Sequence, residues 1–234
     1  MCRILIYGAN GYTGALIAEE AARRGLKPVL GGRNRDALEV LAQRLRLTRR
    51  AFELGDHATM LRNLDGVGVV LNCAGPFAHT AEPLLEACLE AKVHYLDITG
   101  EIDVFALCHH AHNRARQQGV VVAPGVGFDV VPTDCVAAML KQRLPDATEL
   151  VLAFEAGGGP SPGTARTSVA GLAKGGRVRQ NGTIVEVPLA WKTREFEREG
   201  TQRSAMTIPW GDVYTAYVST GIPNIETYMA VSPK

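Results

Sequence analysis

Tyr7-Gly8-Ala9-Asn10-Gly11-Tyr12-Thr13-Gly14 is the stretch that decides how this chain folds. It follows the short apolar run Arg3 to Tyr7 and precedes a helical pattern starting near Ala15, so its GxxGxxG glycines occupy a strand-to-helix turn. Gly8 permits the tight turn off the strand, Gly11 lets backbone approach a pyrophosphate with no Cβ in the way, and Gly14 lets the helix pack closely on the sheet. Helix-terminal N–H groups then face phosphate oxygens. The turn predicts a nucleotide site built from Gly8, Asn10, Gly11, Tyr12, Thr13 and Gly14.

Outward from that turn, short apolar runs alternate with helical patterns. Strands are expected near Arg3 to Tyr7, Pro28 to Gly31, Ala51 to Leu54, Val67 to Leu71, His94 to Ile98 and Val120 to Ala123. Leu16, Ile17 and Ala21, then Leu38, Leu41, Ala42 and Leu45, recur at three and four residues and lay an apolar stripe along each helix. Strands alternating with helices predict an α/β fold, a Rossmann-type parallel sheet with helices on both faces, over residues 1–145.

After about Pro145 the alternation stops, and residues 146–234 read as a second, smaller α/β domain with a mixed or antiparallel sheet. Its expected strands are Glu149 to Glu155, Arg177 to Gln180, Thr183 to Val187, Ala205 to Pro209 and Ile225 to Val231, with a helix near Thr164 to Lys174. Asn181-Gly182 joins two of these strands as a tight hairpin. Ile184 to Leu189 and Ile225 to Val231 are expected to pair across a two-fold axis, making a homodimer.

Composition narrows the partners. The 234 residues carry 25 basic and 24 acidic side chains, so charge offers no reason to expect nucleic acid or an anionic membrane. No apolar run reaches the roughly 18 residues of a membrane helix. Five scattered cysteines without a CxxC pair, and a strand-like start directly after the initiator Met, are expected of a reduced, cytoplasmic chain.

The second strand selects the nucleotide. It ends Leu30-Gly31-Gly32-Arg33-Asn34-Arg35, with no carboxylate to bind a ribose 2′-hydroxyl. Arg33 and Arg35 offer planar forks suited to a phosphate monoester, so NADP(H) is expected over NAD(H), with Arg33 and Asn34 among the cofactor-binding residues. Asp56, past the third strand, stands where a carboxylate could accept from the adenine amino group. At the carboxyl edge, Cys73, Ala74, Gly75, Pro76, Phe77 and Gly125 are expected beside the nicotinamide, where small residues and prolines allow close approach. Glu101 and Asp129 are the carboxylates of these loops that could donate a proton, although Glu101 before Ile102 also suits a helix cap.

Other signals carry less. His109, His110 and His112 do not share one helix side and have no acid or Cys at ligand spacing. Gly159-Pro160-Ser161-Pro162-Gly163 matches a nucleophile elbow in letters, but its prolines oppose the strand–turn–helix such an elbow needs. No Tyr is followed four residues later by Lys, which removes the proton-donor pair of short-chain dehydrogenases.

Taken as a set, the glycine turn, Gly32-Arg33, Asn72-Cys73-Ala74-Gly75-Pro76-Phe77, Tyr95-Leu96-Asp97-Ile98-Thr99-Gly100-Glu101 and Pro124-Gly125-Val126-Gly127-Phe128-Asp129 resemble the saccharopine dehydrogenase-like oxidoreductases, including the trans-acting enoyl reductases. The resemblance implies an NADP-binding domain, a second domain used for substrate and dimer contacts, and hydride transfer to a small-molecule or acyl substrate. Family chains are longer and return to the first domain after the second. A non-catalytic NADP(H)-binding sensor or scaffold is the alternative reading.

Overall fold

The computed structural model describes residues 3–155, 157, 163, 165 and 175–230. Six strands, β1 (Ile4–Tyr7), β2 (Val29–Gly32), β3 (Arg49–Ala51), β4 (Val69–Asn72), β5 (His94–Asp97) and β6 (Val122–Ala123), form an all-parallel sheet in the order β3-β2-β1-β4-β5-β6. The order reverses between β1 and β4, which opens a crevice at their carboxyl ends.

Both faces are covered, as an all-parallel sheet requires. Side chains alternate across β1, so Leu5 and Tyr7 point one way and Ile6 the other. Leu5 and Tyr7 join Val70, Tyr95, Leu84 and Leu85 beneath α3 (His57–Leu64), α4 (Phe77–Glu90), α5 (Ile102–His110) and α6 (His112–Gln118). Ile6 joins Leu30, Ala18, Leu38 and Leu41 beneath α1 (Tyr12–Arg23) and α2 (Arg35–Leu45). The α2 stripe is buried as expected. On α1 the buried residues are Gly14 and Ala18, whereas Leu16 is half exposed, because close approach by small residues rotates the larger ones outward.

β3 forms over Arg49–Ala51, earlier than the apolar signal of Phe52 and Leu54. Its arginines are accommodated at the sheet edge, where Arg49 pairs with Glu39 and Arg50 donates to the Asn63 and Asp65 carbonyls. A charged strand is tolerated there since only one side is hydrogen-bonded.

The second sheet is mixed. β7 (Glu149–Phe154) runs parallel to β12 (Asn224–Ala230), while β8 (Gly176–Gln180), β9 (Thr183–Val187), β10 (Thr193–Arg198) and β11 (Thr201–Thr207) pair antiparallel. Asn181 and Gly182 both take positive φ in the β8–β9 hairpin. β10 carries mostly charged residues and gives no apolar period to read. β12 is flanked by β7 on one side and by β8 and β11 on the other, so it offers no free edge for a dimer. Edge strand β9 retains one. Val231, most of the Gly159-to-Gly163 stretch and most of the helix expected near Thr164 to Lys174 lie outside the described residues.

α7 (Val131–Arg143) precedes the expected boundary at 145/146, yet its Ala137 packs with Leu150, Leu152, Ala216, Ile222 and Ile225 of the second core. α8 (Asp212–Thr220) lies against α7 and also reaches α5 of the first sheet. The junction is reinforced by an Arg177–Asp103 ion pair at 2.5 Å.

Candidate functional site

The glycine turn has little room to spare. Gly8 adopts φ +81°, and its N–H and that of Ala9 both donate to the Gly31 carbonyl, at 2.9 and 3.0 Å, locking the turn onto β2. A Cβ on Gly8 would come 2.8 Å from the Ala74 nitrogen, and one on Gly14 would overlap the Gly8 carbonyl. The first helical hydrogen bond of α1 runs from Ala15 N–H to the Gly11 carbonyl, and no side chain caps this end. The N–H groups of Tyr12, Thr13 and Gly14 therefore have no intrahelical acceptor. A Cβ-free turn beneath unpaired helix donors fits a pyrophosphate.

At the tip of β2, Arg33 and Arg35 are exposed and form no ion pair among the described residues. The next carboxylate, Asp36, is already in the first turn of α2. Asn34 and Asp56 have duties that spacing did not reveal. Asn34 Oδ1 accepts from Ala37 N–H at 3.0 Å and caps α2; Asp56 accepts from the Thr59 N–H and hydroxyl and caps α3. Their short side chains bond the third helical N–H, which is how such residues start helices. The Thr59 hydroxyl, then its N–H, hold the Asp56 carboxyl below its ordinary range.

Along the carboxyl edge a buried polar network fixes the loops. Asn72 accepts from Ala74 N–H at 3.0 Å and donates to the Thr80 and Tyr95 hydroxyls. Tyr95 in turn donates to Asp97, whose carboxylate also accepts from the Thr99 and Gly125 amides at 3.0 and 2.8 Å. Asp97 thus ties the β5 loop to the β6 loop and, through Tyr95 and Asn72, to the β4 loop. Its burial raises its pKa despite these donors. Burial, then the Asp97 charge, pushes the Cys73 thiol up to about 12, so Cys73 is a lining residue and no thiolate nucleophile.

Glu101 is engaged elsewhere than its position suggests. Its carboxylate accepts from Phe77 N–H at 2.7 Å and Ala78 N–H at 2.9 Å, capping α4 rather than the α5 it immediately precedes. Each of its oxygens accepts one of these amides, and the cap fixes the Asn72-to-Phe77 loop.

Asp129 is placed differently. Its carboxyl lies so close to Gly100 that a Cβ there would overlap Oδ2, and its Oδ1 is buried with no hydrogen-bond partner among the described residues. Burial, with the nearby Asp212 carboxylate second, raises its pKa to about 8. Next to it, exposed Phe128 stacks edge-on to Phe154 at 6.1 Å, and Phe154 meets Trp210 at 4.6 Å, making an aromatic wall from both sheets. Asp97, Phe154, Trp210 and Asp212 escaped the sequence reading as site residues. Asp97 stood inside a quoted loop, but Phe154 on β7, Trp210 in the loop after β11 and Asp212 at the start of α8 carry no local motif.

The comparisons with known proteins agree with this fold. The profile of the saccharopine dehydrogenase NADP binding domain matches residues 4–122. A saccharopine dehydrogenase-like oxidoreductase of Bos taurus is 29% identical over 171 residues, covering 64% of this chain and 40% of its own. A trans-acting enoyl reductase of Mycobacterium ulcerans is 28% identical over 151 residues, covering 60% and 35%. The chain thus spans about 40% of the length of the first of these relatives. Among solved structures, apo saccharopine dehydrogenase (L-Glu forming) from Saccharomyces cerevisiae superposes with a TM-score of 0.71 at 12% identity, covering 98% of this chain and 55% of that one, a likeness of fold.

Proposed function

Since this chain belongs to the saccharopine dehydrogenase NADP-binding domain family, we propose that it is an NADP(H)-dependent oxidoreductase that reduces a small-molecule or acyl substrate in the cleft between its two sheets. The observation that carries the cofactor preference is the tip of β2, where Arg33 stands exposed and unpaired and no carboxylate is present to repel a 2′-phosphate. The N–H groups of Tyr12, Thr13 and Gly14 hold the pyrophosphate, and the loops fixed by Asn72, Asp97 and Glu101 orient the nicotinamide end.

When bound, NADPH supplies the hydride, and the protein supplies orientation, water exclusion and a proton. Phe128, Phe154 and Trp210 wall the substrate side and exclude water. Asp129, carrying a proton near neutral pH, gives it to the reduced product. Glu101 holds the α4 loop in place and is not the donor.

The test is NADPH oxidation by the purified chain across ketones, imines and enoyl thioesters, with a longer relative as positive control. Turnover of one class above background supports the reading. Tight NADPH binding with no turnover, while the control reacts, would replace it by a non-catalytic NADP(H) sensor or scaffold.

A further inference from the structure

We propose, resting on the NADP(H) reading above, that Asn10 is a specificity-determining residue: its carboxamide, held over the end of β2, binds the 2′-phosphate together with Arg33, and Gly32 lacks a side chain so that the amide can lie there.

The backbone fixes where Asn10 stands. Gly8, Ala9, Asn10 and Gly11 close a four-residue turn in which the Gly11 N–H donates to the Gly8 carbonyl at 2.9 Å. That turn is tied to β2, since the Gly8 and Ala9 N–H groups both donate to the Gly31 carbonyl. Gly32 is anchored from its other side: it pairs with Ala51, and its carbonyl accepts from the Phe52 N–H at 3.0 Å. Asn10 and Gly32 therefore keep a fixed spacing through hydrogen-bonded backbone.

Asn10 fills the place of the missing side chain. A Cβ built on Gly32 would come 3.0 Å from Asn10 Oδ1, against 3.7 and 3.8 Å from the two Leu38 methyls. The Leu38 distances are ordinary contact, so the carboxamide is the neighbour that an added methyl would displace. Gly32 is buried and Asn10 is exposed, so one end of the amide rests on the strand while the side chain remains open to a ligand. Among the described residues this amide has no hydrogen-bond partner. Asn34, in contrast, has its Oδ1 engaged by the Ala37 N–H as the cap of α2. Arg33, the residue after Gly32, is exposed and forms no ion pair among the described residues. An unengaged amide and an unpaired guanidinium thus flank the same strand end.

Their chemistry is complementary to a phosphate monoester. The amide offers two N–H donors without charge, and Arg33 adds a cationic fork. A carboxylate at position 10 would present only acceptors and a negative charge, and would repel the phosphate as an acid at the end of β2 does. Asn and Asp are nearly equal in size and both suit a turn. Amide in place of acid at position 10 therefore sets selectivity without altering the backbone.

The experiment is calorimetric binding of adenosine 2′,5′-bisphosphate and adenosine 5′-monophosphate to the full chain, to Asn10→Ala and to Asn10→Asp. The two probes differ only in the 2′-phosphate and contain no nicotinamide. Wild type is expected to prefer the bisphosphate. Asn10→Ala should weaken it about tenfold, the factor carried by one hydrogen bond to a charged group, and Asn10→Asp should weaken it further. Monophosphate affinity should change by less than about threefold in both, since its contacts lie elsewhere on the turn. Added salt should narrow the Asn10→Asp loss by screening the new charge. Thermal melting checks that each variant is folded, and either variant alone gives the reading. Bisphosphate affinity kept in a folded variant, or equal losses for the two probes, would overturn the proposal. Neither probe can be oxidised or reduced, so a lack of NADPH turnover rejects the reductase reading alone. A wild type that binds both probes equally rejects the NADP(H) preference and this assignment with it.

Discussion

Glu101 holds the start of the helix that begins at Phe77, through its carboxylate and the Phe77 amide at 2.7 Å, although 24 residues separate them in the chain. The bond joins the β5 loop to the β4 loop and places an anion at a positive helix end. It converts a candidate proton donor into a brace.

Glu101→Gln should therefore behave as a stability variant. Loss of the charge and of one of two amide bonds is expected to cost ~1–2 kcal/mol of folding stability. Urea denaturation checks it. A wild-type midpoint together with a large loss of turnover would restore Glu101 to a chemical role.

Arg33→Ala should cost ~1.5–3 kcal/mol of NADPH affinity, the usual worth of hydrogen bonds to a charged partner, and leave NADH almost unchanged. Calorimetric titration with both cofactors reads this directly. Equal losses for the two would remove the 2′-phosphate from Arg33.

Gly14→Ala should remove nucleotide binding and destabilise the chain by ~1–3 kcal/mol, since the added methyl overlaps the Gly8 carbonyl and must push α1 off the turn. Gly55→Ala meets nothing within 4 Å and serves as the control. Fluorescence of bound NADPH and thermal melting of both variants decide it, and a Gly14→Ala variant that binds normally would contradict the close packing.

Stability should fall as pH rises from 5 to 8.5. Asp129 holds its proton in the folded state to about 8, but the unfolded chain releases it near 3.8, so the folded state binds more protons across this window. The contribution is complete below about 3.8, declines steadily as pH rises through this window, and is gone above about 8. Asp212 acts in the same direction up to about 6. The arginine-paired Glu20, Glu39 and Glu86 have lowered pKa values and titrate below the window. Asp129→Asn should flatten the dependence and gain roughly 2 kcal/mol or more at pH 8.5. Melting temperatures across the range test this, and identical slopes for the two proteins would disprove it.

What the sequence determined by itself is the part written in local backbone chemistry. Three glycines between a strand and a helix specify a turn with no room for Cβ, the strand–helix period specifies a parallel sheet, and Gly32-Arg33 specifies a strand tip without an acid. These follow from φ/ψ freedom, side-chain period and charge within a few residues. Only the tertiary structure decided which carboxylates are free for chemistry. Glu101 and Asp129 look alike in sequence, each polar in a loop after a parallel strand; one meets the amides of a distant helix, and the other is packed against Gly100 with no donor to its Oδ1 among the described residues. Asp56 and Asn34 likewise spend side-chain oxygens on capping the helices they precede, a duty set by the turn each one starts. Whether a carboxyl is charged depends on the donors and charges within a few ångströms, and that neighbourhood is assembled by chain segments whose separation in sequence carries no period to read.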